Sequence, residues 1–285
     1  MKYAFTTIFF CLALFGCEKI QKEKIMSGSN MPISIRLHEN GSDFSKKHQG
    51  LIKEDRQPAG LNFYEANWRS EQKGNVAIYF NRAILNIDNA IGFVATEDAE
   101  KIDEGILEIT VNSGITGPYG QHHEKVRDKL FSIFGNIIKT GWTPLIPHAL
   151  PRLNGKYMLD FALKSANPHG LDPTYVPTAD EWLRIKDLTT WEFYSEDAFL
   201  QISFLREPKK SNPHKEGIYI IKYNIESKKD YYREFVAPDQ KDNWSIQLPK
   251  ELADAELRRA KLEKKLHSEG IPIITTYRNP PIPDF

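Results

Sequence analysis

Two adjacent histidines, His122 and His123, followed by Glu124, are the residues of this sequence whose types best suit a zinc site. Zinc on a helix needs ligands about one turn apart, as in H-E-x-x-H, and Arg127 stands where the second histidine of that motif would be. Adjacent helical residues point about 100° apart and cannot easily share a metal. We therefore predict no metal site or other cofactor here, and interpret these residues as a solvated helix start, with Glu124 favoured near the positive end of the helix dipole.

Three glycines, Gly114, Gly117 and Gly120, lie after a predicted strand and before a predicted helix, which is where a phosphate-binding loop would lie. Their spacing is G-x-x-G-x-x-G, not the dinucleotide fingerprint G-x-G-x-x-G, and no Walker lysine follows. The glycines therefore predict a flexible turn rather than a nucleotide site.

No activated nucleophile is recognisable in the sequence, which has no G-x-S-x-G elbow and no S-x-x-K placed before a helix. The carboxylate pairs Asp180/Glu181 and Asp239/Asp242 have no spacing that indicates a general acid and base, so we interpret them as solvated surface. We predict that the chain is not an enzyme. Because a serine–histidine–aspartate triad is recognised by geometry and not by spacing, a hydrolase with an unrecognised site remains an alternative.

Charge and composition narrow the class of protein further. The 285 residues carry 38 basic and 38 acidic side chains, and 40% of them are hydrophobic, which is typical of a folded globular chain. Without a basic excess or a stripe of arginine and aromatic residues, nucleic-acid binding is not indicated. The 12 tyrosines, 16 phenylalanines and 5 tryptophans could serve binding hot spots, but most are expected in the core.

The N-terminal segment, residues 1–16, has the layout of a secretory signal peptide. Lys2 is followed by a run from Ala4 to Gly16 that is apolar apart from two threonines. The run is too short for a transmembrane helix, which needs about 20 apolar residues. We therefore predict export, and Cys11 would leave with the signal. The alternatives are an ordinary signal peptide followed by a coincidental Cys17, or an uncleaved anchor.

The run ends in Leu14-Phe15-Gly16-Cys17, which resembles the lipobox of bacterial lipoproteins, although Phe15 is bulkier than the residue usual at that position. The resemblance implies cleavage after Gly16 and lipidation of Cys17, whose acyl chains would anchor the protein by about 0.8 kcal/mol per buried methylene. No cysteine then remains for thiol catalysis or a disulfide. We predict a lipid-anchored protein at the periplasmic face of the envelope, and Glu18 in place of an aspartate indicates the outer membrane.

The order of predicted elements indicates an α+β fold with two lobes, each a mainly antiparallel sheet covered by a helix. A polar, lipidated tether over residues 17–30 precedes an N-terminal lobe over 31–165 and a C-terminal lobe over 166–285. Alternation of apolar and polar residues and flanking turn residues predict the strands. These are Ile33–Leu37, Leu61–Trp68, Val76–Phe80, Ile91–Thr96, Ile106–Asn112, Trp191–Tyr194, Phe199–Arg206 and Ile218–Ile225.

Three helices are predicted from apolar periodicity and end signals. The first, Gln121–Thr140, has an apolar face broad enough to cover a sheet, and Gly141 is placed to end it. A short helix begins after Thr178, with a glutamate three residues on completing a capping box. The last, Pro249–Ser268, begins at its proline and is ended by Gly270.

A proline-rich passage, Gly141–Arg152, separates the two sets of strands. Its three prolines within eight residues forbid a helix and favour extended or turn backbone. The passage is compatible with a domain connection, a wall of the core or a rigid surface loop, and the sequence does not separate these. The tail, Ile271–Phe285, holds four prolines and is expected to extend along the surface.

Several short patterns in the second half of the chain occur together in a known family. They are Gly141-Trp142, Pro151–Lys156, Leu171–Pro177, Glu181-Trp182, Trp191–Tyr194, Phe199–Arg206, Pro249–Glu251, the helix end Arg258–Gly270 and Pro280-Pro281. In these patterns the chain resembles proteobacterial lipoproteins encoded near type VI secretion effector genes, which are taken as immunity proteins to lipase effectors. The resemblance covers residues 141–283, and none of its patterns is a named signature.

The resemblance implies a membrane-anchored inhibitor that binds and neutralises a cognate secreted toxin, with a phospholipase as the expected partner. Trp142, Tyr175 and Trp182 are candidate anchors for that partner, with the core as the competing interpretation, so no interface residues are assigned. The alternative is an envelope structural or secretion-accessory lipoprotein without a toxin-binding role.

Overall fold

The computed structural model of the chain describes residues 32–56, 60–69, 71–165, 168–196, 198–207 and 215–282. The signal segment, the tether and Cys17 lie outside these residues. Within them the predicted α+β class is confirmed, with a large, mainly antiparallel sheet and helices packed on it.

The described residues form twelve strands and six helices. The strands are β1 (Ile33–Arg36), β2 (Lys53–Arg56), β3 (Leu61–Asn67), β4 (Gly74–Tyr79), β5 (Ile84–Asp98), β6 (Ile106–Gly114), β7 (Gln121–His122), β8 (Thr143–Pro144), β9 (Thr190–Tyr194), β10 (Ala198–Arg206), β11 (Glu216–Gly217) and β12 (Tyr219–Ser227). The helices are α1 (Gly41–Lys47), α2 (His123–Lys139), α3 (Gly155–Lys164), α4 (Ala179–Arg184), α5 (Lys228–Arg233) and α6 (Trp244–Ser268). Short 3₁₀ helices lie at Ile102–Glu104 and Pro238–Asn243.

Ten of the strands form one sheet, in the order β1-β4-β5-β6-β12-β10-β9-β8. Strand β3 pairs with the second half of β5, and β2 pairs with β3. The pairing of β1 with β4 is parallel, and the other strand pairs of this sheet are antiparallel. Strands β7 and β11 make a separate two-stranded sheet.

The strands of the two predicted lobes therefore belong to one continuous sheet rather than to two. Strand β6, from the first half of the chain, pairs with β12, from the second half, over seven residue pairs. Buried Ile109 stands beside buried Ile225, and buried Val111 beside buried Tyr223. Because the two strands are apolar on the same face, their pairing extends a single buried face across the molecule.

Helix α2 covers that buried face, in agreement with its predicted broad apolar side. Val126, Leu130, Phe134 and Ile137 are buried along the helix. The ring centroid of Phe134 lies 5.2 Å from that of Trp191 in β9, so a helix of the first half packs on a strand of the second. The core is thus shared by both halves of the chain.

The tryptophans considered as partner anchors are core residues. Trp142 and Trp182 are 2% and 0% exposed, which leaves them no surface for a partner. Tyr175 is half-buried, and its hydroxyl donates to a Glu181 carboxylate oxygen at 3.0 Å. The competing interpretation of these aromatic residues, as parts of the core, is the one that the fold supports.

Three helix ends are as predicted. Gly141 follows α2 with a φ of +101° and donates its N–H to the carbonyl of Ile138 at 3.0 Å. Thr178 and Glu181 form the reciprocal capping box at the start of α4. Gly270 follows α6 with a φ of +83°, the left-handed conformation that a glycine adopts without strain.

Helix α6 begins earlier than predicted, at Trp244 instead of Pro249. Pro249 lies inside the helix, where it has no backbone N–H to donate. Trp244 and Leu248 are buried in an apolar cluster with Tyr232 of α5. Burial of these large side chains stabilises the first turn by more than the missing hydrogen bond costs.

The proline-rich passage is a wall of the core that α6 holds in place. The guanidinium of Arg259, whose side chain is 3% exposed, donates to the carbonyls of Pro147 at 2.7 Å and Leu150 at 2.8 Å. Arg152 pairs with Glu263 of the same helix at 2.6 Å. Extended backbone cannot satisfy its own carbonyls, so the charged side chains of the helix do so instead.

The C-terminal tail follows the same passage. The Ile146 N–H donates to the Tyr277 hydroxyl at 2.8 Å, and Asn279 Nδ2 donates to the Ile146 carbonyl at 2.8 Å. The Ile274 N–H donates to the Arg152 carbonyl at 2.8 Å. The described part of the tail is therefore attached to the passage by hydrogen bonds.

Candidate binding groove

A groove opens where β6 ends and its neighbour β5 continues. Ala90 of β5 pairs with Gly74 of β4 and also with Ser113 of β6, so β4 and β6 lie on opposite edges of β5. Strand β6 ends at Gly114. Among the described strands none covers that edge of β5 over residues 84–89.

The hydrogen-bonding groups of this uncovered edge have a definite direction. The Phe80 N–H donates to the Ala83 carbonyl at 2.9 Å in the turn between β4 and β5. Hydrogen-bonded and non-hydrogen-bonded pairs alternate along an antiparallel ladder. Counting from this turn, Ile84 and Asn86 direct their N–H and C=O groups away from β4, and thus into the groove.

A side-chain hydrogen bond marks the same edge independently. Ser113 Oγ, on the β6 side, donates to the backbone carbonyl of Asp88 at 2.6 Å. Residues two apart in a strand face the same edge, so the Asp88 carbonyl agrees with the direction found for Ile84 and Asn86. The groove is therefore lined on this side by backbone donors and acceptors from alternate residues.

Helix α2 forms the opposite wall of the groove, which has a volume of about 550 Å³. Ile221 and Tyr223 of β12 lie between the two walls. The lining residues of the strand wall span 84–89 and those of the helix wall span 129–140, so each wall is about 16 Å long. That length accommodates about five residues of extended polypeptide. The side chains of the helix wall are Lys129, Ser132, Ile133, Asn136, Ile137 and Thr140.

Tyr223 carries an unpartnered polar group at the groove. Only 4% of the residue is exposed, and its hydroxyl, which makes no hydrogen bond to a residue that the structure describes, is within reach of solvent in the groove. Burial raises the pKa of Tyr223, and the negative charge of Asp88 adds to the rise. Tyr223 and Asp88 both line the groove.

The groups around the groove are suited to binding a neutral, amide-containing ligand. The charged residues lining it are Asp88 and Lys129, one of each sign. The other polar side chains there are carboxamides and hydroxyls, and the apolar ones are mostly isoleucines. The Ser113 hydroxyl donates its hydrogen bond to the backbone carbonyl of Asp88, so its proton is not directed at a general base. The arrangement offers hydrogen bonds and apolar contact rather than a nucleophile.

The histidines of the predicted helix start are separated by their surroundings. His123 is the first residue of α2 and is buried, with its Nδ1 at 2.6 Å from the Tyr219 hydroxyl, whereas His122 is exposed in β7. The prediction of a solvated start is wrong for His123, because β11 and Tyr219 cover it. Within the described ranges no three His, Cys, Asp or Glu side chains are placed to hold a metal ion.

The three glycines form the turn that their spacing predicts. The Gly120 N–H donates to the Gly117 carbonyl at 3.1 Å, and Gly120 has a φ of +91°. Gly114 ends β6, and Gly120 leads into the short strand β7 before the helix begins. The backbone of Gly120 approaches that of Gly217 so closely that a Cβ atom there would lie 3.0 Å from the Gly217 carbonyl oxygen.

One of the predicted surface carboxylates is buried. Glu181 accepts from the Thr178 backbone N–H and from Lys156 Nζ at 2.9 Å, and these bonds lower the pKa of Glu181 to about 2. The prediction of a solvated pair is therefore wrong for Glu181, because its capping role draws it against the protein. Asp239 is exposed in the 3₁₀ helix, in agreement with the prediction.

The groove residues are not among those predicted from the sequence, for two different reasons. The strand prediction began at Ile91, although polar Asn86 and Asp88 alternate with apolar Leu85 and Ile87 and would have extended it. That alternation was a usable signal. Tyr223 had none, because its place in the groove depends on the pairing of β12 with β6 and not on the residue type.

Comparison of the chain with protein-family models, with curated proteins and with solved structures found no match. None of the helices in the described ranges has both the length and the apolar content needed to cross a bilayer.

Proposed function

We propose that this chain is a lipid-anchored immunity protein at the periplasmic face of the envelope, in the outer membrane, that binds and neutralises a cognate toxin. The toxin is proposed to be a type VI secretion effector and a phospholipase. The observation that carries the proposal is the groove between β5 and α2, which combines an uncovered strand edge with polar side chains that include the hydroxyl of Tyr223. A groove of this kind is suited to holding part of another protein.

Two features of the sequence support the toxin as the partner. The patterns over residues 141–283 resemble those of immunity lipoproteins to lipase effectors. The lipobox-like segment before Cys17 would hold the protein at a membrane, which is the substrate of a phospholipase. An inhibitor placed there needs a shaped binding surface and no reaction of its own.

Competition between strains tests the proposal. A strain lacking this gene is expected to be killed in co-culture with its toxin-bearing parent, and to survive beside a parent that lacks the toxin. The wild-type gene should restore survival, whereas the Cys17→Ala variant should fractionate away from membranes and protect less. Normal survival of the deletion strain beside the armed parent would exclude the immunity role and favour a structural or secretion-accessory lipoprotein.

A further inference from the structure

We propose that the groove binds an extended segment of the partner polypeptide, which adds to the main sheet as a strand beside the first half of β5. This inference rests on the proposed function in one respect, that the partner is the toxin. The mode of recognition depends on the groove and not on the identity of the partner.

The backbone of β5 supplies the first argument. Ile84 and Asn86 direct donors and acceptors into the groove, and these are spaced by two residues, or about 6.6 Å. A neighbouring strand repeats its own hydrogen-bonding groups at the same interval, so an extended segment matches the edge residue by residue. Uncovered edges are templates for this kind of pairing.

The helix wall, together with Ile221 and Tyr223 of β12, also favours an extended segment. A strand placed beside β5 directs alternate side chains to one face of the sheet. On the face covered by α2 those side chains would meet Ile133, Ile137 and Ile221, which favour aliphatic residues. The Tyr223 hydroxyl, which lines the groove, would exchange solvent for a hydrogen-bond partner in the bound segment.

The charges of the groove restrict the segment further. Asp88 on the strand wall and Lys129 on the helix wall have opposite signs, so the complementary segment carries a basic residue opposite Asp88 and an acidic one opposite Lys129. An anionic ligand such as a phosphate is disfavoured by this balance. A glycan is disfavoured because the Tyr223 ring is buried and offers no exposed aromatic face for a sugar.

Selection from a phage-displayed library of random decapeptides, with the purified full chain as target, provides the probe. We expect selected peptides to alternate aliphatic and polar residues and to carry one basic and one acidic residue. Methylation of a single backbone nitrogen that faces β5 should weaken a selected synthetic peptide by about tenfold. Failure of the library to yield a binder would overturn the inference.

Variants of the groove locate the site on the protein. Asn86→Pro removes an N–H that faces the groove and leaves the ladder to β4 intact, so peptide binding should fall by about tenfold or more. Asn86→Val keeps that N–H and should bind like wild type. Tyr223→Phe should weaken binding about threefold to tenfold while its melting temperature stays unchanged. Equal binding by Asn86→Pro and Asn86→Val would overturn strand addition.

Hydrogen exchange on the wild-type chain gives a readout that needs no variant. Bound peptide should protect the amides of Ile84 and Asn86, which face the groove. The amides of Leu85 and Ile87 already pair with β4 and should change little. Protection without this alternation would contradict strand addition. Binding of peptidoglycan fragments that is lost in Tyr223→Phe and kept in Asn86→Pro would also contradict strand addition.

The two proposals fail in different experiments. If the deletion strain is killed but Asn86→Pro still protects it, the immunity role holds and the groove is not the toxin site. If the deletion strain survives while the peptide results are as expected, strand addition holds and the partner is a different protein.

Discussion

Individual carboxyl groups in this protein are driven toward opposite charge states by what surrounds them. Arg233 and Lys229 bind Glu104 at 2.7 Å and 2.6 Å and lower the pKa of that carboxyl to about 2. Burial, reinforced by the charges of nearby Glu234 and Glu108, raises the pKa of Glu226 to about 8. Residue type alone does not distinguish the pKa of Glu104 from that of Glu226, because the difference comes from the residues around each carboxyl.

The raised pKa of Glu226 predicts how stability depends on pH. Between about pH 4.5 and pH 8 the folded state holds a proton that the unfolded state has lost, so the free energy of unfolding should fall as pH rises through this range. Glu226→Gln should therefore be more stable than wild type at pH 8, by about 1 kcal/mol or more. Urea denaturation at several pH values from 5 to 8 measures this.

Glu104→Gln is the contrasting variant. Because the pKa of Glu104 is lowered to about 2, its contribution is present above about pH 4.5 and is lost as pH falls toward 2. The variant should be less stable than wild type at pH 7, and its deficit should shrink in acid. If Glu226→Gln and Glu104→Gln shifted stability in the same direction at pH 8, the assignment of these two environments would be wrong.

At the scale of a single element, one glycine inside α2 and one just after it test the helix and its end separately. Gly135 lies inside the helix, and Gly141 follows it with a φ of +101°. Nothing lies within 4 Å of a Cβ atom added at either position, so only backbone conformation separates them. Gly135→Ala should stabilise the protein by about 0.5–1 kcal/mol, whereas Gly141→Ala should destabilise it by about 1–2 kcal/mol. Thermal unfolding of the two variants decides this, and effects of equal sign would contradict the assigned helix end.

At the scale of the whole molecule, one sheet and one core cross the middle of the chain. Strand β6 pairs with β12, and Phe134 of α2 packs on Trp191 of β9. We therefore expect the two halves to unfold together, in a single transition. Native-state hydrogen exchange should give β5 and β10 the same free energy of global unfolding. Two separate values, or a folded fragment made of residues 32–165 alone, would show that the halves are independent units.

Local features of this protein could be predicted from the sequence because they depend on neighbours in the chain. Alternation predicts eight of the twelve described strands, β5 only in part, and Gly141, Thr178 and Glu181 predict the ends of α2 and α4, since a glycine end or a capping box is complete within a few residues. The start of α6 was placed at Pro249 because the burial of Trp244 depends on α5, which the local pattern does not contain. The sequence by itself also supplied the prediction of export and lipidation at Cys17, which concerns residues outside the described structure.

The groove and the single sheet were decided only by tertiary structure. Which strand lies beside which is a matter of long-range pairing, and the free energy that selects the β6–β12 pair comes from burying both apolar faces together. The groove exists because β5 is longer than the strand packed against it, and Tyr223 lines the groove because β12 pairs with β6 beside that gap. Alternation could have shown that Asn86 lies on a strand, but not that the edge of this strand is uncovered.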